Sequence, residues 1–216
     1  MRGVRASLPL VLVLVLVLAG LAGCSADDET RLPGTGPEAV RLAVVGDSIT
    51  AADSPDLAGG ELGRGSWVWH AVGEEITFAG GWAQWGATTE QMAVAVPELD
   101  ADVLVILAGT NDAGAGVPFA QTARNIEAIV ANAGVDEVAL SAVPPIDAAP
   151  QNAVELNADI EELAAAHDWT WVPHPSALAE DGEFAPGMAN DGLHPTEAGA
   201  RLIGEAIATA VLTAAR

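Results

Sequence analysis

The chain has 216 residues, half of them hydrophobic, and sets 30 acidic residues against eight basic ones for a formal charge of −22. That is enough apolar material for a sizeable core, and one domain is the simplest count. All eight basic residues are Arg and there is no Lys, which excludes a basic nucleic-acid surface and a phosphate loop ending in Lys.

Residues 1–23 read as a signal peptide. Arg2 and Arg5 give a positive start, and residues 8–21 form an apolar run rich in Val and Leu, short for a membrane span. Leu21-Ala22-Gly23-Cys24 then resembles the bacterial lipobox, which makes Cys24 the lipidated first residue of the mature chain. Cys24 is the single cysteine, so no internal disulfide is possible. Residues 24–38 are polar and contain Asp, Glu, Gly and Pro, as expected of a flexible lipid-anchored tether. The implied location is the outer face of a bacterial cell membrane, touched only through the anchor.

From residue 39 onward, apolar runs alternate with helical patterns. Strands are expected at residues 42–45, 76–79, 102–107, 137–140 and 169–172. The third is the clearest: continuous, β-branched and stopped by Gly109. Helices are expected at 66–74, 119–131, 153–166 and 196–212. In the third helix Leu156, Ile160 and Leu163 share a stripe, and Pro195 suits the first turn of the last. This alternation predicts an α/β fold with helices on both faces of a parallel sheet, and a site beyond the carboxyl ends of the strands.

Three polar clusters fall at such places. Gly46-Asp47-Ser48 follows the first strand, Gly109-Thr110-Asn111-Asp112 follows the third, and Asp191-Gly192-Leu193-His194 precedes the last helix. A serine needs a base to become a nucleophile, and a histidine base needs an acid to orient it. Asp191 and His194 are close enough in sequence for one turn to join carboxylate to imidazole. Taken singly, Ser48 reads as a helix N-cap and Asp191-Gly192 as a turn. Asp47 reads as a turn residue and Asp112 as a structural acceptor. His70, His167 and His174 lack ligand spacing, so packing or surface roles are expected and no metal. Core packing is the expectation for all six Trp, although Trp82 and Trp85 lie near enough to Gly86 for one to wall a pocket.

Together these blocks resemble the SGNH hydrolase superfamily, the GDSL-type esterases and lipases, in a bacterial lipoprotein form. Val45-Gly46-Asp47-Ser48-Ile49-Thr50, Gly86 within Trp85-Gly86-Ala87-Thr88-Thr89, Leu107-Ala108-Gly109-Thr110-Asn111-Asp112 and Asn190-Asp191-Gly192-Leu193-His194-Pro195 match the family's four blocks in order. The resemblance implies a flavodoxin-like three-layer αβα sandwich on a parallel five-stranded sheet over residues 39–216. It implies Ser48 as nucleophile, His194 as base and Asp191 as its orienter. It assigns the oxyanion hole to the Ser48 and Gly86 backbone N–H groups and the Asn111 side-chain amide. No cofactor is called for. A histidine acts as a base only while its imidazole is neutral.

The expected activity is hydrolysis of short-acyl carboxylic esters, with O-acetyl groups on carbohydrate among the candidates, by a monomer. An acyltransferase, a lysophospholipase or lipase on the same site, and a non-catalytic binding lipoprotein are the alternatives.

Overall fold

The computed structural model describes Thr30, Arg31 and residues 39–215. The expected signal peptide, Cys24 and most of the expected tether lie outside these residues. Within the tether, Thr30–Arg31 pairs antiparallel with Leu62–Gly63.

Five strands form one sheet: β1 (Val40–Gly46), β2 (Ile76–Ala83), β3 (Val103–Leu107), β4 (Glu137–Ser141) and β5 (Thr170–Val172). Their order is β2-β1-β3-β4-β5 and every pairing is parallel. The order reverses between β1 and β3, the switch point at which such sheets open a crevice beyond their carboxyl ends. Ser48 follows β1 and Asn111 follows β3, so the reversal alone brings these two blocks side by side. β2 runs on past its expected end because a bulge after Leu42↔Phe78 takes up one extra residue, and Gly80 and Gly81 then pair with Ala43 and Val44.

Among the described residues, seven α-helices flank the sheet: α1 (Ser48–Ala51), α2 (Trp67–Ala71), α3 (Thr89–Ala95), α4 (Thr110–Ala115), α5 (Phe119–Ala133), α6 (Pro150–Ala166) and α7 (Glu197–Ala214). Alternate strand residues face opposite layers. Leu42, Val44, Val103 and Val105 pack with Trp67 and Val68 of α2 and Ile203, Ile207 and Val211 of α7. Ala43, Val45, Leu104 and Ile106 pack with Met92 of α3, Ile126 and Ile129 of α5 and Leu156 and Ile160 of α6. Every residue of β3 is buried, which is why its sequence is an unbroken apolar run rather than an alternating one.

Two expectations are corrected, and two helices are new. The helix expected over 66–74 ends at Ala71, because the chain turns extended at Val72 and continues into Gly73. Pro195 is not in the first turn of α7; Thr196 is the N-cap and accepts from Gly199 N at 3.3 Å. The helices α3 and α4 were not expected. Both are short, and α4 holds Thr, Asn, Asp and Gly, poor helix formers whose apolar period is too brief to read.

Gly46 is the tightest point under the site. A Cβ there would lie 2.1 Å from Thr50 Oγ1 and 2.9 Å from the Leu107 carbonyl oxygen. Its absence lets α1 fold back over the ends of β1 and β3. Thr50 is then fastened from below, accepting from Trp67 Nε1 at 2.9 Å and, through its carbonyl, from Ser66 Oγ at 2.6 Å. Gly46→Ala is expected to destabilise the fold by about 1–3 kcal/mol, as overpacking does. Urea unfolding measures it, and an unchanged midpoint would show that the turn yields without cost.

Candidate active site

Asp47 ends the extended chain and caps α1 by accepting Ile49 N at 2.9 Å. Ser48 is therefore the first helical residue, and its N–H has no intrahelical partner. Its side chain is 7 % exposed and opens into a pocket. Ser48 Oγ stands 3.0 Å from His194 Nε2, and His194 Nδ1 stands 2.8 Å from Asp191 Oδ2. The three residues thus form one hydrogen-bonded line from β1 to the start of α7.

The Asp191–His194 turn is built locally. Asp191 Oδ1 accepts from Leu193 N at 3.0 Å and His194 N at 2.8 Å, leaving Oδ2 for the imidazole. Gly192 takes a φ of +78° inside this turn, and its carbonyl accepts from Asp147 N at 2.9 Å. Asn190 N donates to the His194 carbonyl and Asn190 Nδ2 to that of Pro195, which closes the loop ahead of α7. The His194 N–H, then the imidazole, hold the Asp191 carboxyl down to about 2.

On the opposite side stands Asn111, in the first turn of α4 behind Gly109 at φ +115°. Its Nδ2 donates to the Ala87 carbonyl at 3.0 Å and to Asp47 Oδ2 at 3.2 Å. Asp47 is thus more than a turn residue: one oxygen caps α1 and the other holds Asn111. It is fully buried, and that burial, only partly offset by the Ile49 N–H, raises its carboxyl to about 6. Asp112 is buried as an acceptor for Thr89 N at 2.9 Å and Thr89 Oγ1 at 2.5 Å.

Gly86 adopts φ +73° on a loop after β2, where an added Cβ would meet nothing within 4 Å. That conformation, not crowding, is what selects glycine. The adjacent Trp85 departs from the core packing expected of it. It is 58 % exposed, lies 5.1 Å from the His194 ring between centroids, and donates Nε1–H to the Ala52 carbonyl at 3.2 Å. Trp82 packs on the α3 and α5 side instead.

The pocket, about 340 Å³, is walled by Ser48, Trp85, His194, Asp53, Arg64 and Glu197 among others. Arg64 pairs with Glu197 at 3.3 Å and lies over the Trp69 ring. Neither Arg64 nor Asp53 carries a sequence signal, since only the fold brings the 53–65 segment to the pocket. The other histidines lie elsewhere. His70 Nε2 bonds the Arg64 carbonyl, His167 pairs with Glu127 and stacks on Trp169, and His174 bonds the Pro175 carbonyl. Among the described residues, no group of three or more His, Cys, Asp or Glu is placed to hold a metal.

The profile of the GDSL-like Lipase/Acylhydrolase family matches residues 44–202. The chain belongs to that family, within the SGNH hydrolases. It is an ester-hydrolysing enzyme. No curated protein matches it in sequence. Solved structures do match in fold. One is a member of the lipolytic protein G-D-S-L family from Veillonella parvula DSM 2008, at TM-score 0.61 and 21 % identity over 78 % of this chain and 96 % of that one. A GDSL-like lipase from Bacteroides thetaiotaomicron VPI-5482 gives 0.59 and 24 %, over 81 % and 89 %. A mutant of an acetyl-xylooligosaccharide esterase from Geobacillus Stearmophilus gives 0.59 and 17 %, over 82 % and 95 %.

Asp191 and Asp47 should leave opposite signatures in stability. The folded Asp191 carboxyl sits below the ordinary Asp value of about 3.9. Its contribution is complete above that value and is lost as pH falls through about 2. The folded Asp47 carboxyl sits above it, so its contribution is complete below about 3.9 and is lost as pH rises through about 6. The stability advantage of wild type over Asp191→Asn should therefore grow from about pH 2 to 4. Its advantage over Asp47→Asn should shrink from about pH 4 to 6. Urea unfolding across this range measures both; an Asp47→Asn difference that grows over the upper interval contradicts the effect of burial.

Proposed function

We propose that this enzyme is a serine esterase that hydrolyses short-acyl carboxylic esters through an acyl-enzyme, with O-acetylated carbohydrate as its leading substrate class. The observation that carries the reading is the unbroken Ser48–His194–Asp191 line, opening into a small pocket beside an exposed tryptophan. Ser48 Oγ attacks the ester carbonyl while its proton passes to His194 Nε2. Asp191 holds the Nδ1–H tautomer and stabilises the imidazolium. Collapse expels the alcohol, which takes the proton from Nε2, and leaves the acyl group on Ser48. Water then repeats the sequence and releases the acid.

The negative oxygen of each tetrahedral intermediate is assigned to the Ser48 N–H, the Gly86 N–H and the Asn111 amide. At rest both Asn111 Nδ2 contacts are to protein oxygens, so the oxyanion must share or displace one. The contact to Asp47 is the longer of the two. Such donors act on charge that exists only in the transition state, which makes them effective in kcat.

A cavity of about 340 Å³ lies near the small end of ligand sites and suits a short acyl group with part of its alcohol. The exposed face of Trp85, ringed by Arg64, Asp53, Glu197 and Asn190, supports a polyhydroxylated alcohol: an aromatic plane for ring C–H groups and polar side chains for hydroxyls. The acetyl-xylooligosaccharide esterase that shares this fold is consistent with it. We also propose export and lipid anchoring at Cys24, supported by Arg2, Arg5, the apolar run and the Leu21-Ala22-Gly23-Cys24 lipobox.

Three measurements test these readings. In purified protein, Ser48→Ala should fold normally and lose nearly all ester hydrolysis, whereas Asn111→Ala should lower kcat by roughly 10²–10³ with little change in KM. Full activity in a folded Ser48→Ala variant would end the mechanism. Across a series of p-nitrophenyl esters below micelle-forming concentrations, acetyl to butyryl esters should give the highest kcat/KM. A rate still climbing at the longest chains would favour a lipase. Finally, Cys24→Ala in cells should move the protein from the membrane to the soluble fraction; a wild-type chain with unmodified Cys24 would remove the anchor.

A further inference from the structure

Gln84, Trp85 and Gly86 are all exposed, and no neighbour approaches the place of a Gly86 Cβ. Packing therefore does little to set the direction of the Gly86 N–H. Within the loop the Trp85 Nε1–H goes to the Ala52 carbonyl and the Ala87 N–H to the Gln84 carbonyl at 3.1 Å, and the loop is held at both ends as well. On the sheet side Gln84 N donates to the Gly46 carbonyl at 3.4 Å, a long bond. On the other side two consecutive residues of α4 grip it. Asn111 Nδ2 donates to the Ala87 carbonyl, and Asp112 accepts from both Thr89 N and Thr89 Oγ1. Ala87 is 1 % exposed and Thr89 is fully buried, so the loop becomes rigid at this grip.

Asp112 is itself 1 % exposed. Its described hydrogen-bond partners are neutral: the two Thr89 groups and Thr122 Oγ1 at 3.3 Å. Asn125 Nδ2 in turn donates to Thr89 Oγ1 at 2.9 Å. An apolar side chain at 112 would fill the space without the cost of a buried carboxylate. What the carboxylate adds is direction: two acceptors that fix residue 89 against the helix bearing Asn111.

We propose that Asp112 is a positioning residue for catalysis, which clamps the Gly86 loop to α4 so that the Gly86 N–H and the Asn111 amide keep a fixed spacing. This rests on the oxyanion assignment made above. Donors help only when they lie within a few tenths of an ångström of their place beside the developing charge, and small displacements are costly in rate. Loss of the clamp should act on the transition state and spare ground-state binding.

The test is kinetic, on the full chain with p-nitrophenyl acetate. Asp112→Asn keeps shape but sets an amide N–H against the Thr89 hydroxyl, which already accepts from Asn125 and loses the acceptor for its own proton. It should lower kcat about 10- to 100-fold with KM nearly unchanged. The affinity for a boronic acid that forms a tetrahedral Ser48 adduct should fall in parallel. Thr89→Val should show the same pattern, and Thr89→Ser, which retains the hydroxyl, should restore kcat. If Asp112→Asn does not fold, the two Thr89 variants decide by the same readings. Unchanged kcat in a folded variant, a loss confined to KM, or no rescue by Ser overturns the clamp. Asn111→Ala, run alongside, separates the two ideas. If it too leaves kcat intact, the oxyanion assignment fails; if it lowers kcat while Asp112→Asn does not, only the clamp fails.

Discussion

The hydrogen bond from Ser48 Oγ to His194 Nε2 joins groups 146 residues apart, and neither group can find the other without the completed sheet. Ser48 is delivered by the end of β1. His194 is delivered by the loop that α7 anchors, and α7 packs through Ile203, Ile207 and Val211 into the same layer as Trp67 of α2. Trp67 then donates to Thr50, two residues beyond Ser48. The apolar layer beneath the site is therefore also the device that sets a contact of 3.0 Å above it. Errors in that layer reach the chemistry through very few bonds.

The acids near the site fall into two physical classes. Asp191 is 56 % exposed, and its charge is stabilised by backbone N–H groups and the imidazole it orients. Asp47 and Asp112 are buried, and the hydrogen bonds described for them come from neutral donors. Burying a carboxylate costs free energy unless its oxygens are well satisfied. Both buried acids use their oxygens to tie one chain segment to another: Asp47 ties α1 to Asn111, and Asp112 ties α4 to residue 89. Direction is what these bonds add, since apolar packing holds segments together without fixing which way an amide points.

The pocket carries a different lesson about surface aromatics. Trp85 leaves more than half of its surface in solvent, while its indole N–H is spent on the Ala52 carbonyl and its ring lies against His194. An exposed indole fixed in this way offers a rigid flat face at the mouth of the site. The Arg64–Glu197 pair, which lines the same pocket, offers polar groups that meet at 3.3 Å.

Sequence by itself determined the layer architecture. Period-2 and period-3.6 apolar patterns are local properties, and long elements such as α5, α6 and β3 repeat them often enough to be read. It also determined the chemistry of Ser48, Asn111, Asp191 and His194 as residue types, because each sits in a short block at a strand or helix end. The Asp191–His194 contact was legible too, since a three-residue turn is local. Tertiary structure alone decided the rest. It set Trp85 in the pocket and Trp82 against the core, brought Arg64 to the site, turned Asp47 toward Asn111 and joined Asp112 to Thr89. Those contacts join residues 23 to 133 positions apart, where no sequence period reaches. The short helices α3 and α4 belong with them, because fewer than eight residues carry too little pattern, and their helicity comes from caps and neighbours rather than from propensity.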